Sequence, residues 1–155
     1  MKATKKQTDG YAHEPPTVQQ LTTMLSVHKV RPSQQRLMIL EYLLIHHNHP
    51  SVDMIYNELL IKVPTLSRAT VYNTLNLFLK AGLVKVLDIV ENEARYDIFT
   101  DFHGHFKCST CGDIFNFRVS DEALVSEELK GFVVDDKNVY FKGICPKCLK
   151  KSKGV

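Results

Sequence analysis

Long hydrophobic runs are absent from this sequence, and cysteine is scarce. No apolar stretch is long enough to span a membrane, and residues 1–16 form a polar leader without the apolar core of a secretory signal peptide. We therefore expect a cytoplasmic protein, in a reducing compartment that disfavours disulfide bonds. Charge of neither sign dominates. The net charge of +3 permits nucleic-acid binding without demonstrating it, because affinity depends on where the basic side chains lie.

The four cysteines form two Cys-x-x-Cys pairs, Cys108 with Cys111 and Cys145 with Cys148. Each two-residue gap lets both sulfurs of a pair face one ion, which is typical of a closed tetrahedral zinc site. Two disulfides or a redox pair are the alternatives. The reducing compartment argues against the first, and the symmetric use of two pairs argues against the second. The sequence thus predicts structural Zn²⁺ bound by all four thiolates.

Helical periodicity dominates the first half of the chain. It predicts helices over 17–28, from Pro32-Ser33 to the stop at 48–50, from Ser51 until Pro64 ends the helix, and over 68–80. Ser51 and Ser67 are the predicted N-caps of the last two helices, and Gly82 is the predicted stop after the fourth. Residues 83–90 and 94–99 then alternate around a turn at 91–93, which predicts a β-hairpin.

Helices closed by a hairpin are the layout of a winged helix-turn-helix. In that fold the helix before the hairpin enters the major groove of DNA, where polar and cationic side chains near its N-terminus meet base edges. The candidate DNA-binding residues are Arg68, Thr70, Tyr72 and Asn73. An ordinary amphipathic helix with a solvated face explains the same periodicity, so both interpretations stay open.

Strand signals dominate the second half. We predict a strand over 113–119, a helix over 121–130, and strands over 132–134 and 139–144 separated by a turn. A domain with so small a core would draw on the order of 10 kcal/mol of folding free energy from its zinc, and it is the natural dimerisation module.

The fold prediction is therefore α+β, with an N-terminal winged helix-turn-helix followed by a small zinc-stabilised α/β dimerisation domain. The predicted bounds are 1–16 for the leader, 17–99 for the DNA-binding domain, 100–102 for a hinge and 103–155 for the dimerisation and zinc-binding domain.

His103 and His105 are not needed as ligands in the four-cysteine site. Two positions apart in an extended segment, they present both imidazoles on one face. Further ligands could come from His49, Asp97 and Asn116, and such nitrogen and oxygen donors suit Fe(II), Mn(II) or Zn(II). Exposed loop histidines are the alternative, and spacing alone leaves both interpretations open.

A set of ordered motifs covers nearly all of the chain after the leader. The motifs are Arg36, His49-Pro50, the segment 67–75 (Ser-Arg-Ala-Thr-Val-Tyr-Asn-Thr-Leu), Gly82-Leu83-Val84, Arg95-Tyr96-Asp97, His103-x-His105-x-x-Cys108-x-x-Cys111-Gly112 and Cys145-x-x-Cys148. Together they resemble the ferric uptake regulator family. Within that family the chain is most similar to the peroxide stress regulators, because Asp97 and Asn73 stand where iron-responsive members usually carry glutamate and arginine.

The resemblance implies a homodimeric, metal-dependent transcription repressor that binds a palindromic double-stranded DNA operator. Its regulatory Fe(II) or Mn(II) would be held by His49, Asp97, His103 and His105, from both sides of a hinge near 99–102. A fifth ligand is implied at Asn116, where peroxide regulators usually carry aspartate. The amide lacks the negative charge, so we expect weaker metal binding; a metal-independent repressor is the alternative interpretation of Asn116.

The resemblance also implies a peroxide response. With Fe(II) bound, hydrogen peroxide would oxidise His49 and His103, the metal would leave, and the operator would be released. Mn(II) would support DNA binding without this reaction.

Three other functions compete with peroxide sensing. A repressor that senses the level of iron, manganese or zinc needs no oxidation chemistry, and a thiol switch would expel zinc when the cysteines are oxidised. A metal-dependent hydrolase would need a general base, yet no glutamate stands beside the histidine pair as in the His-Glu-x-x-His type. We therefore expect a regulator and not an enzyme.

Overall fold

The computed structural model describes residues 15–87, 93–98, 102–120 and 125–152. Within these ranges the first half contains four helices and two short strands, and the second contains three strands, a 3₁₀ turn and a helix, which confirms the α+β prediction. The elements are α1 Val18–Val27, α2 Gln34–His46, α3 Val52–Leu59, α4 Arg68–Lys80, β1 Val84–Val86, β2 Tyr96–Ile98, β3 His103–Cys108, β4 Ile114–Arg118, the 3₁₀ turn Glu127–Leu129, β5 Tyr140–Gly143 and α5 Pro146–Ser152.

Side-chain caps begin the helices where the sequence predicts them. Ser51 Oγ accepts a hydrogen bond from Met54 N at 3.4 Å, and Ser67 Oγ accepts one from Thr70 N at 3.0 Å. Gly82 has φ of +69°, a left-handed conformation that ends α4 without strain on a side chain.

The predicted end of the third helix is wrong. α3 stops at Leu59 and not at Pro64, because the chain turns there: Lys62 N and Val63 N both donate to Leu59 O. These turns bring Leu66 into the core beside Leu59.

The core of the first half lies between the four helices and the two-stranded sheet. Ile39, Ile55, Leu75 and Phe78 are among its fully buried side chains. β1 and β2 are antiparallel with Val84 opposite Ile98, so the pairing of the predicted hairpin is present. Residues 83, 87, 94 and 95 of the predicted strands are not in β1 or β2, and residues 88–90 and 99 lie outside the described residues. Residues 91–92 of its predicted turn lie outside the described residues.

The second half is built on one three-stranded sheet in the order β4-β3-β5. β3 is antiparallel to β4 and parallel to β5. Because side chains alternate along a strand, His103 and His105 share one face of β3, and Gly104 and Phe106 share the other. His105 lies opposite Asn116 across the ladder.

Two predicted elements of the second half are wrong. The predicted helix over 121–130 is replaced, in its described part, by the 3₁₀ turn, whose side chains are all exposed. A short helix with no buried side chains is not stable, because it lacks the packing that stabilises helices in proteins. Residues 132–134 are exposed and form no strand. α5 was not predicted from the sequence, although Pro146 at its first position is a common helix start.

Several predicted segments lie outside the described residues: 1–14 of the leader, 100–101 of the hinge and 121–124 of the predicted helix. The domain bounds stay predictions. None of the helices within the described ranges has both the length and the apolar character needed to cross a bilayer.

Candidate metal centres and DNA-facing helix

The turn between α2 and α3 buries His49. α2 ends at His46, and both His47 and His49 have left-handed backbone angles, with φ of 41° and 46°. These angles turn the chain sharply before Pro50, so that the His49 side chain points into the molecule. The imidazole of His49 is thereby buried, although the residue lies in a connecting turn.

Asp97 faces three imidazoles from two separate parts of the chain. It lies in β2, whose three residues are all buried. Its Oδ1 is 3.4 Å from His49 Nε2. Its Oδ2 is 3.2 Å from His103 Nε2 and 3.4 Å from His105 Nε2, both on β3. Asp97 thus joins the winged-helix half to the zinc-binding half.

The donor atoms of these four residues fit one metal ion. All of them lie within 4.8 Å of one another, and the ligand atoms of an ion bound at about 2.1 Å are separated by roughly 3 to 4 Å. His49 Nε2, His105 Nε2 and Asp97 Oδ2 are buried and, within the described residues, make no hydrogen bond of good geometry. Buried polar atoms of this kind are costly unless they have a partner, and a cation would be one.

Burial and charge set the protonation state of this cluster. Burial by itself raises the pKa of Asp97, but the contacts with His103, His105 and His49 outweigh it, so the pKa lies far below its usual range. Burial lowers the pKa of His105, and the neighbouring carboxylate offsets only part of that effect. An ionised carboxylate beside a neutral imidazole is the state that binds a cation, because metal ligands must be deprotonated.

Asn116 supplies an oxygen near this cluster. It stands opposite His105 in the ladder of β3 and β4, and side chains directly opposite each other lie on the same face. Its Oδ1 is buried and has no hydrogen-bond partner among the described residues. The arrangement fits a neutral fifth donor.

The four cysteines form a second centre. Their sulfurs also lie within 4.8 Å of one another, and Cys111 Sγ is 3.9 Å from Cys145 Sγ. Two thiolates on one tetrahedral zinc are separated by roughly 3.8 Å, whereas a disulfide holds its sulfurs at about 2 Å. Cys108, Cys145 and Cys148 are buried and Cys111 is exposed. The geometry fits Zn²⁺ and not disulfide bonding.

Backbone N–H groups favour the thiolate of Cys108, whereas burial raises the pKa of the Cys148 thiol and, despite an opposing backbone hydrogen bond from Asp113, that of the Cys111 thiol. The N–H groups of Cys111 and Cys145 lower the pKa of the Cys108 thiol to about 6, and Cys145 N donates to Cys108 Sγ at 3.3 Å. Gly112, with φ of +75°, turns the chain after the first pair, and α5 begins between Cys145 and Cys148. A thiolate at neutral pH is the form that binds zinc.

The profile of the Ferric uptake regulator family matches residues 28–142. The chain belongs to this family. The peroxide operon regulator of Bacillus subtilis (strain 168) is 38% identical over 125 residues, 79% of this chain and 86% of that protein. The peroxide-responsive repressor PerR of Staphylococcus epidermidis (strain ATCC 12228 / FDA PCI 1200) is 34% identical over 122 residues, 77% of this chain and 81% of that protein.

A solved structure supports the same assignment. The ferric uptake regulator from Francisella tularensis, whose structure contains iron, is 27% identical and superposes with a TM-score of 0.66, covering 77% of this chain and 94% of that chain. The family membership predicted from the motifs is therefore confirmed.

In this member of the ferric uptake regulator family, α4 presents the four candidate DNA-binding residues at the surface. Arg68, Tyr72 and Asn73 are exposed and Thr70 is half-buried. Arg68 Nε donates to Asp53 Oδ1 at 2.6 Å. The Arg68 guanidinium carbon also lies 4.4 Å above the centre of the Tyr56 ring. Asp53 and Tyr56 both belong to α3, so α3 holds the Arg68 guanidinium at the start of α4.

Two residues that shape the metal cluster, Arg95 and Gly104, had no role predicted from the sequence. Arg95 Nε donates to His49 O at 2.6 Å, and Gly104 lies under the ring of Phe117 so closely that a Cβ there would be 2.2 Å from Phe117 Cζ. Both residues stand inside the motifs that carry the family resemblance. Their contacts join segments that are far apart in the sequence, so only their positions within the family motifs could have indicated a role for these two residues.

Proposed function

We propose that this protein is a metal-dependent transcription repressor that senses hydrogen peroxide through oxidation of histidine ligands. One observation carries the proposal: the carboxylate of Asp97 lies within 3.4 Å of imidazole nitrogens of His49, His103 and His105. We assign Fe(II) or Mn(II) to these four residues and Asn116, and structural Zn²⁺ to Cys108, Cys111, Cys145 and Cys148.

The proposed ligands couple metal binding to domain arrangement. His49 and Asp97 belong to the winged-helix half, and His103 and His105 belong to the strand that leads to the cysteines. An ion held by both pairs stabilises only arrangements in which the two halves meet, by its differential affinity for them. The metal would thereby hold the DNA-binding halves in the orientation that matches two half-sites.

We propose that α4 enters the major groove and uses Arg68, Thr70, Tyr72 and Asn73. Their surface positions near the start of α4 support this role, as does the hairpin that follows. A palindromic operator requires two copies of α4 related by a twofold axis. Since operator DNA lies in the cytoplasm of a bacterium, we place the protein there.

The second half carries the apolar surface that a homodimer would cover. Single exposed apolar side chains are ordinary, but a concentration of them indicates an interaction surface. The exposed apolar residues of this half include Val125, Leu129, Phe132, Val133, Val134, Phe141, Ile144 and Leu149. Their position away from α4 would leave both recognition helices free for DNA.

Bound Fe(II) would supply the one-electron reduction of hydrogen peroxide, a reaction that Mn(II) does not support. His49 and His103 are the proposed targets. The His103 side chain is 15% exposed, whereas those of His49 and His105 are 1% exposed, so peroxide would arrive on the His103 side. An imidazole that gains oxygen is a weaker metal ligand. Its oxidation would therefore weaken the connection that the metal makes between β3 and the winged-helix half.

Peptide mass spectrometry of the zinc-containing protein tests this function. Samples loaded with Fe(II) or Mn(II) would be exposed to dilute peroxide, and binding to a palindromic duplex selected from a random library would be followed in parallel. We expect one added oxygen on His49 or His103, together with release of DNA, in the iron sample only. Zinc release at doses that leave both histidines unmodified would instead support the thiol switch.

A sensor of metal level is the second candidate, and Asn116 favours it. Asp97 is the one carboxylate in the described cluster, so the donor set carries less negative charge than one with a second aspartate. Weaker binding would tie occupancy to the cellular metal concentration. Metal-dependent DNA binding with unmodified histidines in the iron sample would establish this alternative.

A further inference from the structure

The backbone of His49 is held in a conformation that its sequence disfavours. Its φ of +46° is in the left-handed region, which residues other than glycine seldom occupy. The next residue is Pro50, and a residue before proline is restricted further toward extended conformations. Such a conformation persists only where the surrounding structure imposes it.

β2, which carries Asp97, and the residue just before it provide two hydrogen bonds to this turn. Arg95 Nε donates to His49 O at 2.6 Å, and Tyr96 N donates to Pro50 O at 3.0 Å. A second contact of the guanidinium, from Arg95 Nη1 to Glu93 Oε2 at 3.2 Å, lies at the surface, where the Glu93 side chain is 49% exposed. The Arg95 side chain is 16% exposed, so the bond to the carbonyl is largely shielded from water.

These bonds connect the segments that carry two proposed metal ligands through protein atoms alone. Arg95 donates to the backbone carbonyl of His49, and Asp97 follows two positions later, in β2. The hydrogen bond is charge-assisted and belongs to the stronger class. Loss of it would free the turn to relax from its left-handed angle, and the His49 imidazole would move relative to the carboxylate.

We propose that Arg95 is a positioning residue for the regulatory metal, which it orients through His49 without contacting the ion. The inference rests on the proposed metal site. Partners that orient metal ligands typically change metal affinity about 10- to 100-fold when they are removed. The bond from Arg95 is to the backbone carbonyl of His49, so we expect the effect to be largest on the His49 side of the site.

The first test measures Mn(II) affinity by electron paramagnetic resonance in the zinc-containing protein. Arg95→Met keeps the apolar stem and removes the donors, and we expect at least about tenfold weaker Mn(II) binding with unchanged zinc content. Glu93→Gln is the matched control, because it alters the other partner of Arg95 and leaves the bond to His49 O; we expect wild-type affinity. Unchanged Mn(II) affinity in folded Arg95→Met would overturn the proposal.

A second measurement separates positioning from general destabilisation. After Fe(II) loading to saturation and peroxide treatment, we expect the ratio of oxidised His49 to oxidised His103 to fall at least about threefold in Arg95→Met, because only His49 loses its support. A purely structural role would lower both yields together, and an unchanged ratio would contradict the inference.

The two proposals can fail separately. If wild-type histidines stay unmodified while Arg95→Met still weakens Mn(II) binding, peroxide sensing fails and the positioning role stands. If the wild type is oxidised and Arg95→Met matches it in both affinity and ratio, the positioning role fails alone.

Discussion

Asp97 is the carboxylate on which the described histidine cluster depends. Each of its oxygens contacts at least one imidazole, and it stays ionised although it is buried. Without a cation, the site combines one buried negative charge with several nitrogen atoms that lack good hydrogen bonds. Such a site favours a divalent ion, and we expect the charge of any additional donor to change the affinity of the site for that ion.

The clearest prediction at the residue scale concerns Asn116. We expect Asn116→Asp to tighten Mn(II) binding about tenfold, because a second carboxylate adds a negative charge to a largely neutral donor set. Asn116→Leu, which has no donor oxygen, should weaken binding instead. Mn(II) titration followed by electron paramagnetic resonance measures both. Equal affinities in all three proteins would show that position 116 does not coordinate the ion.

At the scale of elements, β3 is the strand that connects the histidine cluster to the cysteine centre. Its face with His103 and His105 meets Asp97, and its end carries Cys108 into the zinc site. The opposite face is aromatic: the ring of Phe117 lies over Gly104 and stacks on Phe141 at 5.0 Å. The glycine between the two histidines is therefore required by packing.

Gly104→Ala tests this packing. The added methyl group would collide with the Phe117 ring, so we expect a loss of about 1 to 3 kcal/mol in stability, as for other overpacked sites, and weaker Mn(II) binding as β3 shifts. Gly143→Ala is the milder comparison, because its Cβ would lie 3.2 Å from Phe106 Cζ, a contact that a small shift of that ring relieves, and we expect a smaller loss of stability. Thermal unfolding of both variants with zinc bound measures the difference. A Gly104→Ala protein as stable as wild type would contradict the packing argument.

At the scale of the whole molecule, the two halves differ in what stabilises them. The first half has a large apolar core that includes Ile39, Leu75 and Phe78. The buried cluster of the second half, as far as the structure describes it, consists of three cysteines with Phe106 packed against them. Apolar burial stabilises the first half, whereas the second depends on its metal.

Removal of the structural zinc should therefore unfold only one half. In Cys145→Ser we expect amide hydrogen exchange to lose protection over 103–152 and to keep it over 18–80, because the helical core needs no ion. Self-association should be lost together with the second half, as sedimentation velocity would detect. Protection retained across β3–β5 in the zinc-free protein would contradict this account.

Binding at the histidine cluster should change the shape of the whole molecule. We expect Mn(II) to reduce the radius of gyration measured by small-angle X-ray scattering, because His49 and Asp97 are drawn toward β3. His105→Ala should abolish the change while zinc stays bound. An identical radius with and without Mn(II) in the wild type would indicate that the two halves are already fixed.

Features that depend on neighbouring residues could be predicted from the sequence by itself. Ser51 and Ser67 begin helices because a hydroxyl caps backbone N–H groups within one turn, and Gly82 ends α4 because it tolerates a positive φ. The cysteine spacing indicated a four-sulfur centre for a similar reason, since each pair is a local chelate. The family resemblance named the histidine cluster without giving its geometry.

Tertiary structure decided the features that depend on distant partners. The segment 132–134 has strand-like residues but finds no partner strand, and α5 forms where buried cysteines hold its first turn. The meeting of His49 with Asp97 and His105 requires a strained turn, a bond from Arg95 and a glycine under Phe117. Local propensity determines where a helix begins, but only contacts across the fold determine which side chains share an ion.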